Sequence, residues 1–408
     1  MKIRSLTYFL NPEYPLNVDK LAKAGSFIRE AKAAYESAGY EVQTLRMATI
    51  PFPELFAGLN ANKLTAAVQE LEAASQAQGF SYIALGPAKI TIPESYAMIP
   101  EIIEATENVF ASAEIASPEE GISLPAIRAA AEVITRLAPQ DPNGFANLYF
   151  TAAANVGPGS PFFPASYHRG VRPAFAVATE AASLAVEAFS GASSLNQGID
   201  RLVASIQAHG KRLSTAGEQL MGDHGVLYKG IDFSLAPFPD EANSIGTAME
   251  RMGVPFAGQH GSLAAAAILA NAVDQAVFSR VGFSGLLFPQ MEDAVLAQRA
   301  ASGHLSVKDL LMYSAVCGTG LDTIALPGDC AVEAISAVLL DVAALSQRLG
   351  KPLTARLMPV PGKQAGEMTS FDFPFFANSR ILALDAGPLG GYFNGDESFR
   401  LSPRDRGK

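Results

Sequence analysis

Cysteine is scarce in this sequence. Only Cys317 and Cys330 occur among 408 residues, and neither lies in a CxxC pair or in another spacing typical of metal ligands. The sequence therefore predicts neither a disulfide framework nor a structural zinc site.

Four motifs that identify large enzyme classes are also missing. The sequence has no GxxxxGK[ST] loop, no GxGxxG after a strand, no GxSxG turn and no HExxH pair. Their absence argues against most nucleotide hydrolases, Rossmann dehydrogenases, α/β-hydrolases and zincins. No nucleotide cofactor is indicated.

An excess of basic residues is lacking as well. Thirty Lys and Arg stand against 40 Asp and Glu, giving a net charge of −10 and a pI near 5.1. A nucleic-acid-binding surface needs a basic stripe, so no nucleic-acid partner is expected. A small anionic metabolite remains compatible, because a few local arginines can outweigh the global charge.

No apolar run is long enough to suggest a membrane span. Leu263–Ala272 is too short to cross a bilayer, and Ala334–Leu345 carries Asp341. Met1–Leu10 has neither a long apolar core nor a small-residue cleavage site. We therefore expect a soluble cytoplasmic protein without a membrane partner.

Short apolar runs alternate with amphipathic segments along the chain, which is typical of an α/β fold with helices outside a sheet or barrel. We expect a single α/β domain over residues 1–400 and a mobile tail over residues 401–408. The predicted strands are Ile3–Leu10, Glu41–Arg46, Ser81–Leu85, Leu148–Ala154, Leu227–Leu235, Leu321–Leu326, Leu353–Pro359 and Ile381–Leu384. The predicted helices are Val18–Ala38, Lys63–Gln78, one capped by Ser123, Thr179–Phe189, Leu195–Gln219, Asn243–Met252, Ser262–Val277 and Ala331–Leu349.

Two loops rich in Gly or Pro carry histidine. Residues 154–170 follow a predicted strand and hold Asn155, His168 and Arg169. Loops at strand ends often bind ligands in α/β folds, although an ordinary surface crossover has the same composition.

The second loop leads into the Ala-rich helix. Ser262 fits the N-cap of that helix, and the free N–H groups around Gly261 and Ser262 form a natural anion site. His260 lies at its mouth as an acid, base or donor, or else only caps the loop.

Charged residues inside apolar strands form a third group of candidates. Asp232 and Ser234 lie in the run GIDFSLAP, and Asp322 and Arg356 lie in two later strands. Burying a charge is costly unless it is paired or bound to a ligand, so these residues either face solvent or serve a site. Arg356 suits bidentate binding of a carboxylate or phosphate.

Cys317 precedes a Gly-Thr-Gly loop. A nearby His or helix terminus would make it a reactive thiol, whereas a Cys at a helix end is more often a small core residue. Asp322 and Asp329 follow it, in a spacing that matches no known metal motif.

Several segments together resemble the family named domain of unknown function 711, or uncharacterised protein family 0210. The resemblance is carried by the runs EAKAAYESAGYEVQTLRMATIPFPE, SPFFPASYHRG, IDFSLAPFPDEANSIG, GQHGSLAAAAILANAVDQ, CGTGLDTIALPGD and TARLMPVPGK. It implies a fold similar to the pyruvate formate-lyase-like proteins, an α/β barrel of about ten strands surrounded by helices. It assigns no reaction.

Glycyl-radical chemistry does not fit the sequence. Such enzymes carry a C-terminal Gly in an Arg-Val-x-Gly-Tyr stretch, whereas the run SRVGF at residues 279–283 lacks the spacer and comes too early. The C-terminal run GGY at residues 390–392 lacks the preceding Arg-Val. We therefore expect no stored radical.

Three hypotheses of function remain open. The first is a non-radical enzyme, of lyase or hydrolase type, that acts on a small anionic or carbonyl-containing metabolite. In it the helix beginning at Ser262 and Arg356 hold the anion, His260 or His168 moves a proton, and Asp232 is the partner base.

The second hypothesis is a metabolite-binding or regulatory protein without turnover that uses the same pocket. The third is an enzyme dependent on a divalent metal held by Asp232, His260, Asp322 or Asp329. In each case the Ala-rich helices favour a homo-oligomer.

Overall fold

The structure, a computed structural model, describes residues 1–403. Eleven strands in this range form one mixed sheet. They are β1 (Lys2–Phe9), β2 (Val42–Pro51), β3 (Tyr82–Gly86), β4 (Val109–Ser117), β5 (Gly121–Ser123), β6 (Phe150–Ala154), β7 (Ala174–Glu180), β8 (Leu227–Asp232), β9 (Gly320–Pro327), β10 (Leu353–Val360) and β11 (Ser398–Phe399).

Helices surround this sheet. They are α1 (Val18–Ser37), α2 (Phe52–Leu55), α3 (Ala61–Ala77), α4 (Ile99–Glu104), α5 (Leu124–Leu137), α6 (Ala182–Ser190), α7 (Leu195–His224), α8 (Ile245–Arg251), α9 (Ser262–Gln275), α10 (Ala294–Ala301), α11 (Val307–Val316) and α12 (Val332–Leu349). None of the described helices is long and apolar enough to cross a membrane.

The strand order decides which ends of the strands meet. The main path is β8-β7-β1-β2-β3-β4-β6-β10-β9, with β5 paired to β4 and β11 to β5. Strands β1 to β4 and β6 run parallel, whereas β7 and β8 run antiparallel to β1. The starts of β1 to β4 therefore lie at the same edge as the ends of β7 and β8.

Residues 280–290 contact both outer strands of this path. Isolated bridges join Ile231 to Arg280 and Leu235 to Leu286 on the β8 side. A third bridge joins Pro289 to Asp322 of β9. One irregular segment thus links the two ends of the sheet.

Side chains alternate between the two faces of the sheet along each strand. One face packs against helices, and the other face forms a separate core. Tyr8 of β1 packs on Phe27 of α1 at a centroid distance of 5.5 Å, and Phe27 is buried. Full burial of such a ring stabilises the fold by roughly 1.5–3 kcal/mol. The next residue, Phe9, faces the other way and joins Ala48 and Phe163 in a separate cluster.

The structure corrects some of the sequence expectations. Strands β4 and β7 were not predicted, and residues 179 and 180 end β7 rather than begin a helix. Ile381–Leu384 is irregular, because Ile381 N–H donates to Glu367 O next to the isolated Met368–Arg380 bridge and not within a strand ladder. The Ser123 cap is confirmed, since its side chain accepts the Ala126 N–H.

The C-terminal residues pack on α12 as far as they are described. Leu401 N–H donates to Gln347 Oε1 at 3.0 Å, and Ser402 O accepts Arg348 Nη1 at 2.7 Å. Residues 404–408 of the predicted tail lie outside the described residues.

Candidate functional site

A cavity of about 180 Å³ lies at the edge where β1 to β4 begin and β7 and β8 end. Arg4 and Ser5 of β1, Arg46 of β2 and Asp232 of β8 line it. Polar and charged side chains from strands far apart in sequence therefore meet at one place.

The strand register explains why these side chains share a face. Ser5 pairs with Thr44 across the β1–β2 ladder, and Thr7 pairs with Arg46. On the other side of β1, Ala178 pairs with Ser5. Side chains two residues apart on a strand point to the same face of the sheet. The paired residues of β1, β2 and β7 therefore lie next to each other on that face.

A β-bulge brings Asp322 beside Arg356. The register between β9 and β10 shifts so that Asp322 and Thr323 both lie opposite Arg356. Thr323 has φ 46°, which is rare and strained for a β-branched residue. Strain of this kind concentrates at functional sites and re-aims side chains there.

Alternating charges form a chain across one wall of the cavity. Arg356 Nε donates to Asp322 Oδ1 at 2.6 Å, and Arg356 Nη2 donates to Glu292 Oε1 at 3.0 Å. Glu292 Oε2 in turn accepts from Arg4. Arg4 Nη1 lies 3.9 Å from Glu180 Oε2. Three carboxylates thus share two guanidinium groups.

The two carboxylates bound to Arg356 have opposite pKa shifts. Burial raises the pKa of Asp322, and the nearby Glu292 adds to this rise against the opposing charge of Arg356. Burial also raises the pKa of Glu292, but the charges of Arg4 and Arg356 outweigh it and lower that pKa overall. Burial raises the pKa of Glu180 as well. The carboxylates at the two ends of the chain, Asp322 and Glu180, therefore hold a proton more readily than Glu292.

Arg46 has no carboxylate partner within residues 1–403. Its Nε donates to Thr44 Oγ1 at 2.9 Å, and its terminal nitrogens make no hydrogen bond in that range. The guanidinium lies 4.9 Å from the Phe163 ring centroid and 5.8 Å from that of Tyr82. Burial and the neighbouring Arg4 charge lower the pKa of Arg46 to about 9.

Three buried oxygens near these charges also lack a partner in the described part of the chain. They are Ser5 Oγ, Thr7 Oγ1 and Asp322 Oδ2. Buried polar atoms are nearly always hydrogen-bonded, and an exception marks a place for a water or ligand. Ser5 and Asp322 line the cavity, which therefore holds an unused donor and an unused acceptor.

The opposite wall is aromatic. Phe110 packs against Tyr82 at 5.4 Å, Tyr149 at 4.8 Å and Phe163 at 5.5 Å between ring centroids. The aromatic lining residues are Tyr82, Phe110, Phe145, Tyr149, Phe162, Phe163, Phe373 and Phe375. Phe375 is 36% exposed and marks the opening to solvent.

The structure brings four of the predicted site residues to this cavity: Asp232, Ser234, Asp322 and Arg356. Asp232 is firmly bound, since its carboxylate accepts the N–H groups of Phe283 and Ser284 and the Ser234 hydroxyl. Burial raises the pKa of Asp232 against these hydrogen bonds. Its role as a partner base is therefore weaker than predicted.

The predicted anion site at the start of α9 does not belong to the cavity. The described lining excludes His260, Gly261 and Ser262. Gly261, not Ser262, is the N-cap, and Ser262 Oγ accepts the Gly258 N–H at 2.9 Å. His260 is exposed beside them. Ser262 Oγ thus bonds within the loop and does not cap the first turn of α9.

The loop after β6 also places its predicted residues elsewhere. Asn155 donates to Ser346 Oγ at 2.8 Å, and Arg169 is exposed. His168 is buried, its backbone N–H donating to Thr49 O at 2.8 Å. Burial lowers the pKa of His168 against a hydrogen bond to the Gly170 backbone. None of the three belongs to the described lining.

Cys317 follows the last residue of α11 and is not part of the described lining of the cavity. Its Sγ accepts the Leu286 N–H at 3.1 Å, and a Cβ at Gly285 would approach the sulfur to 2.5 Å. Burial raises the pKa of Cys317 against the charge of Lys351. These contacts support a structural thiol rather than an activated one.

Sequence reasoning missed Arg4, Arg46 and Glu292. Arg4 and Arg46 are charges within apolar strands, so the argument applied to Asp232 and Arg356 would have found them. Glu292 lies in an irregular segment, and no local pattern marks it.

A metal site does not assemble from the predicted ligands. No group of three or more His, Cys, Asp or Glu side chains in residues 1–403 is arranged to hold a metal ion. Asp232 and Asp322 both line the cavity, whereas His260 and Asp329 do not.

Comparison with known proteins identifies the family. The family model described as "Uncharacterised ACR (DUF711)" matches residues 1–378. The chain belongs to this family. The matched region includes all cavity-lining residues named above.

Curated relatives agree with this assignment. A UPF0210 protein of Pyrobaculum aerophilum is 34% identical over 280 residues, covering 66% of this chain and 61% of the relative. The relative in Actinobacillus succinogenes is 30% identical, covering 82% and 77%. That in Lacticaseibacillus paracasei is 28% identical, covering 92% and 86%. The chain thus spans less than two thirds of the Pyrobaculum aerophilum relative and more of the others.

Proposed function

We propose that this protein is a non-radical enzyme that binds a small anionic metabolite in the cavity and acts on it by carboxylate acid–base chemistry. The observation that carries the proposal is Arg46, a guanidinium inside a protein cavity without a carboxylate partner in residues 1–403. An unpaired charge in such a place is costly to the fold, and an anionic ligand would offset that cost.

The charge balance of the cavity supports the same ligand. With Asp322 protonated, the chain from Glu180 to Asp322 is neutral, because two carboxylates face two guanidinium groups. Arg46 then contributes one positive charge that contacts no carboxylate, because the other acidic lining residue, Asp232, is held by the N–H groups of Phe283 and Ser284. A ligand with a single negative charge would pair with Arg46.

Asp322 is the candidate acid or base. Its Oδ2 is free of hydrogen bonds to the described residues, while Oδ1 is fixed by Arg356. In the protonated form Oδ2 would donate its proton to the substrate, which accepts it with an electron pair. Arg356 would stabilise the carboxylate that forms on Asp322. The same oxygen would take a proton back from the product.

This assignment differs from the His/Asp pair expected from the sequence. His168 and His260 lie outside the described lining, so the proposed proton transfer uses Asp322 with Arg356 as its orienting partner. His260→Ala is therefore a suitable control, because His260 is exposed and takes no part in the proposed proton transfer.

We also infer that the sheet closes into the barrel implied by the family resemblance. The support is the segment 280–290, which bridges β8 on one side and β9 on the other. Together with the nine strands of the main path, this segment would give a barrel of about ten strands. The cavity would then lie inside one end of the barrel.

A calorimetric screen of small carboxylates and phosphorylated metabolites tests the function. We expect an anion that binds the wild-type chain and binds at least about tenfold more weakly to Arg46→Met, since a charge-assisted hydrogen bond is lost. Arg212→Met is the matched control: Arg212 also lies over an aromatic ring, Tyr40, at 5.4 Å, but is exposed on α7.

Turnover separates an enzyme from a binding protein. Product formation by the wild-type chain and by His260→Ala, with loss in Asp322→Asn, supports the enzyme. Tight binding with no product from any anion that binds would instead favour the metabolite-binding alternative. Equal anion binding by Arg46→Met and wild type would refute the site itself.

A further inference from the structure

We infer that the anion bound in this cavity is a carboxylate attached to a single flat apolar ring. This inference rests on the proposed function and narrows its substrate class. It depends on how polarity is distributed around the cavity, on the position of Arg46 and on the volume available.

The cavity has one polar and one aromatic side. Arg356 and Asp322 lie on β10 and β9, while Tyr82 and Phe110 lie on β3 and β4. Arg46, on β2, is next to the aromatic side, since Arg46 pairs with Tyr82 across the β2–β3 ladder. An anion on Arg46 therefore has rings immediately beside it.

The aromatic side is a continuous wall rather than scattered rings. Phe110 lies at its centre, with interplanar angles of 84° to Tyr82 and 64° to Phe163. Tyr82 and Tyr149 keep part of their surface open, because both are only half-buried while lining the cavity. Such rings gain most from a ligand ring that packs against their faces or edges.

Arg46 is oriented for a planar anion. The rings of Phe163 and Tyr82 lie near its guanidinium, and Nε is held by Thr44 Oγ1. Its two terminal nitrogens are left to donate in parallel, which is the geometry that a carboxylate accepts. One negative charge also matches the single uncompensated guanidinium better than a phosphate dianion does.

The volume of the cavity matches a small ligand. About 180 Å³ is available, and an apolar cavity of roughly 150 Å³ holds benzene. One ring with a carboxylate and one or two linking atoms fits this space.

Titration calorimetry of the full chain with three probes tests the inference. Phenylacetate carries ring and charge, acetate carries only the charge, and phenylacetamide carries only the ring. We expect phenylacetate to bind at least about thirtyfold more tightly than acetate, because ring burial is favourable. We expect it to bind at least about tenfold more tightly than phenylacetamide, which cannot pair with Arg46.

Two variants separate the contributions. Phe162 is a half-buried loop residue of the lining. Phe162→Leu is expected to weaken the binding of phenylacetate several-fold and to leave the binding of acetate unchanged. Arg46→Met is expected to abolish the preference of phenylacetate over phenylacetamide. A thermal melt of each variant verifies folding, and Phe373→Leu replaces Phe162→Leu if the latter does not fold.

The outcomes distinguish the two proposals. Equal affinity for acetate and phenylacetate, with both affinities lost in Arg46→Met, would refute the inference that the ligand carries a ring. It would still support the anion site. Equal affinity for phenylacetate and phenylacetamide, unaffected by Arg46→Met, would overturn the anion site and with it this inference. Binding of none of the three probes would overturn the inferred substrate class, and the wider anion screen would then decide the proposed function.

Discussion

Replacing Arg46 by methionine should make the ligand-free protein more stable while it removes anion binding. Each pKa unit is worth about 1.4 kcal/mol, so a fall of the Arg46 pKa from 12.5 to about 9 sets an upper limit of about 5 kcal/mol on the burial cost. Cation–π contacts of the guanidinium with the rings of Phe163 and Tyr82 offset about 0.5–1 kcal/mol of this cost each. The hydrogen bond to Thr44 recovers about 1 kcal/mol more. A net gain of about 1–3 kcal/mol remains for Arg46→Met.

Urea unfolding at pH 7, without added anions, measures this gain. Because the folded pKa is lowered, the charged form is the destabilised one, and the penalty is complete well below pH 9. It should shrink as the pH rises above about 9, so the stability difference between variant and wild type should narrow there. Arg212→Met should change stability little, since Arg212 is exposed. A loss of stability in Arg46→Met would refute the view that this guanidinium is uncompensated.

Three further predictions follow from the same contacts. Glu292→Ala should lower the free energy of unfolding by about 3–5 kcal/mol, measured by urea unfolding, because it removes the buried carboxylate that Arg4 and Arg356 share. Gly282→Ala should destabilise the protein in thermal melts, since φ is 67° and the new Cβ would overlap Asp232 Oδ2; Gly222→Ala, in open space on α7, is the control and should not. If Asp322 is the acid, kcat/KM should fall as the pH rises through its raised pKa, above the ordinary aspartate range, and the residual turnover of Asp322→Asn should lack that fall.

Much of the site could be predicted from charges within apolar strands. Asp322 and Arg356 were found in this way, and Arg4 and Arg46 obey the same rule. The rule works because a buried charge is costly unless it is paired or serves a ligand, whatever the fold. Glu292 escapes it because its segment is irregular and its burial is decided by tertiary packing.

The histidine-bearing loops were harder to place. A loop before a helix offers polar groups in sequence terms, but its side chains can bond within the loop, as Ser262 Oγ does with the Gly258 N–H. Where a loop lies relative to a cavity also depends on strand order, which local sequence does not encode. Strands β4 and β7 were missed for a related reason: both are rich in alanine, which carries little strand preference.

The two aspartates that line the cavity show how to separate a structural carboxylate from a chemical one. Both are buried and both have a raised pKa. The carboxylate oxygens of Asp232 accept the N–H groups of Phe283 and Ser284. These hydrogen bonds hold the segment 280–290 against β8. Asp322 keeps Oδ2 unused beside Arg356. Asp232→Asn should therefore lower stability and leave the pH dependence of any turnover unchanged, because only a carboxylate with a free oxygen can exchange a proton with a ligand. A pH profile that changed in Asp232→Asn and not in Asp322→Asn would reverse the two roles.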